Sequence, residues 1–121
     1  MEKQYSAAEK IVQQQLDAYN KGDLEAFVKC YAEDVILYNF PNNEIQIEGR
    51  TQLKESYHPL FAQNPDLHCE LLNRMVLGDK IIDHERISGL AKSSGFEAVA
   101  IYQVKEGNIS KCWFVFPDLN I

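Results

Sequence analysis

The feature that most constrains this 121-residue chain is a change in its apolar rhythm near Leu67. Before that point apolar residues recur every three or four positions; after it they alternate with polar ones. The first spacing lines one stripe of a helix and the second lines one face of a strand. A chain that passes from one regime to the other is expected to be α+β, with helices gathered over one face of a sheet.

Local signals place the elements. Ser6-Ala7-Ala8-Glu9 has the S-x-x-E form in which each end satisfies the other's free backbone N–H. Ala8, Ile11, Val12, Leu16 and Tyr19 then form one helical stripe, which Gly22 ends. Asp23 caps a second helix whose apolar positions are Leu24, Phe27, Val28 and Tyr31. Val35 to Phe40 reads as a strand, Pro41-Asn42-Asn43 as a turn, and Ile45 and Ile47 as a short return strand. Gly49-Arg50-Thr51 opens another helix, with Leu53, Tyr57, Leu60 and Phe61 on one side. Pro59 lacks the N–H that a helix interior uses, so a break near His58 is expected. Four strands follow, over about Leu67–Leu77, Lys80–Ser88, Phe96–Val104 and Asn108–Phe116. Gly78-Asp79 and Glu106-Gly107 are tight hairpin turns, and Gly89–Gly95 is a longer connection.

Helix–helix–strand–strand–helix–four strands has one economical solution: a single cone-shaped domain over residues 1–121, with the N-terminal helices packed on a strongly curved antiparallel sheet. Helices closed over a curved sheet leave a conical cavity suited to a small ligand. The length allows a chain to bury roughly two-thirds of its unfolded surface without a staple.

Charge narrows the partners. Twelve Lys and Arg against eighteen Asp and Glu leave a net charge of −6, which disfavours nucleic acid and anionic membrane surfaces. The polar opening has no signal-peptide core and no apolar run is long enough for a membrane span. Cys30, Cys69 and Cys112 are odd in number, widely spaced and without a CxxC pair; three reduced thiols in a cytoplasmic protein are expected.

The segments Tyr19-Asn20-Lys21-Gly22-Asp23-Leu24-Glu25-Ala26-Phe27 and Tyr31-Ala32-Glu33-Asp34-Val35, with Gly49-Arg50-Thr51 and the run from Ala100-Ile101-Tyr102-Gln103-Val104 to Trp113, resemble the nuclear transport factor two-like superfamily. That superfamily holds ketosteroid isomerase, polyketide cyclases (the SnoaL-like proteins) and many uncharacterised bacterial proteins, all with a cystatin-like fold. The resemblance implies a homodimer formed through the outer face of the sheet, and a pocket in its concavity. It also places Gln15, Asn39 and about Ala100 where ketosteroid isomerase carries its catalytic tyrosine, general base and acid. An amide cannot take the proton and alanine cannot donate one, so that isomerase reaction is not expected. Tyr57 falls where the isomerase has a pocket tyrosine.

The chemistry-bearing segment is Ile82-Asp83-His84-Glu85-Arg86-Ile87. Alternation puts Asp83 and Glu85 on one strand face, His84 and Arg86 on the other; the resemblance turns the carboxylates inward. Two carboxylates at i, i+2 in a low-dielectric pocket raise one another's proton affinity, as a neutral-pH acid or base requires. They are the candidate catalytic residues; an outer or solvated placement is the alternative. Gln15, Tyr19, Asn39, Tyr57, Cys112, Phe114 and Phe116 are the candidate ligand contacts. His58, His68 and His84 have no metal-site spacing, and no phosphate loop, nucleophile triad or nucleotide fingerprint is present. The expectation is a binder of a small hydrophobic molecule, with cofactor-free acid–base chemistry (isomerase, cyclase or hydratase type) at Asp83 and Glu85; a non-catalytic dimerisation or adaptor domain is the alternative.

Overall fold

The computed structural model describes residues 5–91 and 93–117; the first four residues, Lys92 in the Gly89–Gly95 connection and the last four residues lie outside them. The elements run α1 (Ala7–Lys21), α2 (Leu24–Lys29), β1 (Tyr31–Asn39), β2 (Glu44–Glu48), α3 (Arg50–Gln63), β3 (His68–Leu77), β4 (Lys80–Ser88), β5 (Phe96–Lys105) and β6 (Asn108–Val115), the order expected from the sequence. No helix among the described residues is long and apolar enough to cross a membrane.

The caps form where the side chains call for them. Ser6 Oγ accepts the Glu9 N–H at 3.0 Å and starts α1. At its end Gly22 takes φ 67°, and the N–H groups of Gly22 and Asp23 close on the carbonyls of Tyr19 and Ala18, the paired closure that a left-handed glycine permits. Asp23 then accepts the Ala26 N–H at 3.2 Å and starts α2.

Two elements depart from the expected course. Tyr31 is the first residue of β1 and not the last of α2: it pairs with Ile109 of β6, whose N–H reaches the Cys30 carbonyl at 2.9 Å. The helical spacing was real but the strand partner decided the backbone. Similarly, α3 runs through Pro59 without a break. Proline costs that helix one N–H, while Tyr57 and Phe61 on either side hold their rings against Phe27 at 4.7 and 5.4 Å.

The six strands form one sheet in the order β2-β1-β6-β5-β4-β3. All neighbours are antiparallel except β1 and β6, which run parallel, so the sheet is mixed where alternation suggested an antiparallel one. A hairpin dictates antiparallel pairing; β1 and β6 are separated by most of the chain and are under no such constraint. Register shifts between Leu37 and Tyr38, Leu71 and Asn73, and Gln103 and Val104 add local bend. The concave face carries Ile81, Ala100, Tyr102 and Cys112, packed with Val12, Phe27 and Leu53 from the helices. On the opposite face, strand pairing sets Tyr38, Trp113, Ile101, Ile82 and Met75 side by side across β1, β6, β5, β4 and β3. Tyr38 and Trp113 stack there at 5.3 Å.

One ion pair fastens α1 to the sheet. Arg74 of β3 grips Asp83 of β4 with two parallel bonds, Nε to Oδ1 at 2.7 Å and Nη2 to Oδ2 at 2.9 Å. Its Nη1 donates to Gln13 of α1 at 2.9 Å and lies 3.6 Å from the Glu9 carboxylate. Asp83 has no exposed surface. Breaking such a buried pair from one side costs about 3–5 kcal/mol, because the remaining charge is left without compensation. Urea unfolding of Arg74→Met at pH 7 should show a loss of that order, and R74M/D83L should recover most of it. Equal stability of the single variant and the native chain would contradict this role.

Candidate functional site

A cavity of about 340 Å³ opens between the helices and the concave face. Its walls are mostly apolar because period-2 alternation sends Leu37, Ile87, Ala98 and Phe114 inward from four different strands. α1 contributes Gln15 and Tyr19, α2 contributes Phe27, and α3 contributes Tyr57 and Leu60. Tyr19, Phe27, Tyr57 and Phe61 meet edge-on or tilted at 4.7 to 6.0 Å between ring centres, the arrangement that aromatic quadrupoles favour. At the other side Phe114 stacks on Phe116, which is 52% exposed.

The two carboxylates expected on the inward face of β4 are both there, buried with Ile81 and Ile87, while His84 and Arg86 point away. His84 Nε2 lies 2.6 Å from Glu97 Oε1 of β5 on the outer face. The inward pair then divides. Asp83 is claimed by Arg74 and is not part of the cavity wall; Glu85, only 6% exposed, is. Glu85 has no ion pair among the described residues. Burial, and then the charge of Asp83, push its carboxyl up from 4.5 to about 7, against the opposing pull of a hydrogen bond from the Cys69 thiol and the more distant Arg74. The geometry that deprives Glu85 of a cation is therefore what readies it to exchange a proton near neutral pH.

A second polar group spans the cavity wall. The Tyr31 hydroxyl donates to Gln15 Oε1 at 3.1 Å, and Gln15 Nε2 donates to the Tyr102 hydroxyl at 3.3 Å and to the Val12 carbonyl at 3.2 Å. Burial raises the phenols of Tyr19, Tyr31, Tyr57 and Tyr102 above their usual range, and the Glu85 charge adds to the effect. All four stay protonated and can donate. Burial likewise raises the Cys69 and Cys112 thiols, which removes them as nucleophiles.

Of the expected ligand contacts, Gln15, Tyr19, Asn39, Tyr57, Phe114 and Phe116 line the cavity. Cys112 does not: it pairs with Leu37 and Tyr102 on neighbouring strands and is sealed in the core with Val12 and Ala100. Tyr102, Tyr31 and Cys69 were missed. Tyr102 was findable, since alternation from Phe96 through Ala98 and Ala100 carries it inward. Tyr31 was hidden by its helical spacing. Cys69 follows alternation from Leu67, opposite Ile87, whereas Arg74 was hidden by the shift at Leu72, which lets Leu71 oppose Glu85 and Arg74 oppose Asp83 on the same face. Among the described residues no group of three His, Cys, Asp or Glu side chains is placed to hold a metal ion.

The chain belongs to the SnoaL-like domain family, which matches residues 12–112, and so to the nuclear transport factor two-like superfamily. Solved structures share its fold at low identity. An uncharacterised cystatin-fold protein of Novosphingobium aromaticivorans has a TM-score of 0.80 at 20% identity, over 92% of this chain and 98% of that one. A candidate ketosteroid isomerase of Kribbella flavida has a TM-score of 0.77 at 18% identity, over 95% and 81%. A candidate polyketide cyclase of Sinorhizobium meliloti has a TM-score of 0.74 at 19% identity, over 91% and 99%. No curated protein matches by sequence.

The raised carboxyl has a consequence for stability. A carboxyl that holds its proton more tightly when folded makes the native state bind more protons than the unfolded one between pH 4.5 and 7. Stability should therefore fall as pH rises through that window. Glu85→Gln removes the penalty, so its gain over the native chain should be absent at pH 4 and reach about 3 kcal/mol by pH 8, since each tenfold gain in proton affinity is worth about 1.4 kcal/mol. Chemical denaturation of both proteins at the two pH values measures it. A pH-independent difference would contradict the burial of an ionisable Glu85.

Proposed function

We propose that this chain binds a modest, mostly apolar molecule in the conical cavity and moves a proton on it with Glu85, without a cofactor. The observation that supports this is a single carboxyl in an apolar wall whose proton affinity lies near neutrality. Glu85 would take a proton from one carbon or oxygen of the bound molecule and return it to another, as isomerisation and cyclisation require, or take it from an attacking water and deliver it to the bound molecule, as hydration requires. Tyr102 accepts a hydrogen bond from Gln15, which leaves its own O–H to polarise an oxygen or nitrogen of the occupant. Asp83, expected to share the chemistry, is held by Arg74 instead and acts through its charge, which helps raise Glu85. Three unpaired cysteines suit a reducing cytoplasm.

The test is a thermal-shift screen with steroids, terpenoids, aromatic polyketides, fatty acids and hydrophobic amines. A ligand that binds only the native state raises Tm as RT ln(1 + [L]/Kd). One apolar class should give a saturable shift, and fatty acids should give none at pH 8, where Glu85 repels their carboxylate. For the class that binds, deuterium uptake from solvent at its exchangeable C–H should fall by about 10²–10⁴ in Glu85→Gln, the usual contribution of a positioned base. No shift from any class would favour the adaptor reading.

A homodimer through the outer face is the second part of this proposal. The row Tyr38, Trp113, Ile101, Ile82 and Met75 is an apolar band on a face that the chain's own helices do not cover, and Met75 is 56% exposed. Such bands mark association surfaces. Sedimentation velocity should give a two-chain mass for the native protein and a one-chain mass for Ile101→Glu with unchanged circular dichroism. A native monomer at micromolar concentration would contradict it.

A further inference from the structure

The charge of the cavity wall and its aromatic content point the same way. Among the described residues twenty line the cavity; of these Glu85 is the sole carboxylate, and none is a lysine, arginine or histidine. Buried carboxylates ordinarily have a cation beside them. The nearest candidate, Arg74, is held by both oxygens of Asp83 and turned toward Gln13 and Glu9 of α1, outside the lining. The wall also carries eight aromatic side chains. Phe27, Tyr19 and Tyr57 approach from the helices, and Tyr31 and Tyr102 from the sheet, each close enough to a buried neighbour to be fixed in place. The faces of such rings are negative and attract a cation strongly once it has left water.

We propose that the occupant of this cavity carries a positive charge of its own, as a protonated or quaternary amine on an apolar frame, with Glu85 as its counter-ion and the surrounding rings as its cage. This rests on the reading of the cavity as a ligand site and names the chemical class that fits it. An anion would meet Glu85 with nothing to offset it, and a neutral molecule would leave the burial of Glu85 uncompensated. A cation satisfies both the carboxylate and the rings.

Affinity for such a ligand follows the ionisation of Glu85. The titratable groups that face it are Tyr19 from α1, Tyr57 from α3, Tyr31 from β1, Cys69 and Arg74 from β3, Asp83 from β4, Tyr102 from β5 and Cys112 from β6. The phenols and thiols are raised and stay neutral between pH 6 and 8, and Arg74 and Asp83 are already paired. Glu85 is thus the group that changes charge in this range, being mostly protonated at pH 6 and mostly ionised at pH 8.

Phenyltrimethylammonium and tert-butylbenzene test this, because they share a shape and differ only in charge, and the quaternary cation cannot itself titrate. Titration calorimetry on the native chain and on Glu85→Gln, at pH 6 and 8, should show the cation binding about tenfold more tightly at pH 8, as the fraction of competent protein rises. The neutral isostere should bind more weakly and without pH dependence, and Glu85→Gln should lose both the preference and the pH dependence. Thermal melts of Glu85→Gln confirm that the variant is folded. If tert-butylbenzene binds as well as the cation at pH 8, the charge proposal is overturned while the cavity remains a ligand site. Cation binding that ignores pH and survives Glu85→Gln also overturns it. If neither compound binds and the broader ligand screen is also silent, the ligand-site reading fails with it.

Discussion

The bidentate grip of Arg74 on Asp83 is the interaction on which the rest of this molecule depends. It joins β3 to β4 side chain to side chain, and through Gln13 and Glu9 it draws α1 down onto the concave face. The same contact separates two carboxylates that the strand places only one residue apart. Asp83 is gripped by a guanidinium, and its charge adds to burial in holding the proton on Glu85. One arginine therefore both closes the cone and decides which carboxyl is left without a cation in the cavity wall.

The cavity follows from the shape of the sheet and the size of the residues that cover it. Bulges in β1, β3 and β5 curve the strands, and three helices cannot fill the concavity they produce. Large rings from α1, α2 and α3 cover one end, where Phe27 packs against Tyr19, Tyr57 and Phe61. Toward the other end Ala98 and Ala100 keep the floor of the sheet low. The polar groups in the wall include the Glu85 carboxyl, the Gln15 amide joined to two phenols, the Cys69 thiol, the amides of Asn39 and Gln46, and the phenols of Tyr19 and Tyr57. At Glu85 an ionisable group stands in an apolar wall, which burial makes unfavourable for its charged form.

The fold was legible because its rules are local. The caps at Ser6 and Asp23, the hairpins at Gly78 and Glu106-Gly107, and the switch of period near Leu67 each follow from a few neighbouring residues. What could not be read was set by distant partners. Tyr31 left its helix to pair with Ile109, α3 ran through Pro59 under the packing of Tyr57 and Phe61, and β1 met β6 in parallel. In the site, alternation delivered Glu85, and the resemblance delivered Gln15, Asn39 and Tyr57. Asp83 and Cys112 were placed on the correct face but given the wrong neighbours. A one-residue bulge at Leu72 brought Arg74 beneath α1, and no period in the sequence announces a bulge.

The central claim is that Glu85 is an ionisable, buried carboxyl poised near neutral pH. Carbon-13 NMR of protein labelled at the glutamate side-chain carboxyls tests it directly, by following each resonance from pH 3 to 9. One resonance should titrate with a midpoint near 7 and disappear in E85Q. If every glutamate carboxyl in the native protein titrates near its ordinary 4.5, Glu85 is solvated or paired, and the acid–base site described here does not exist.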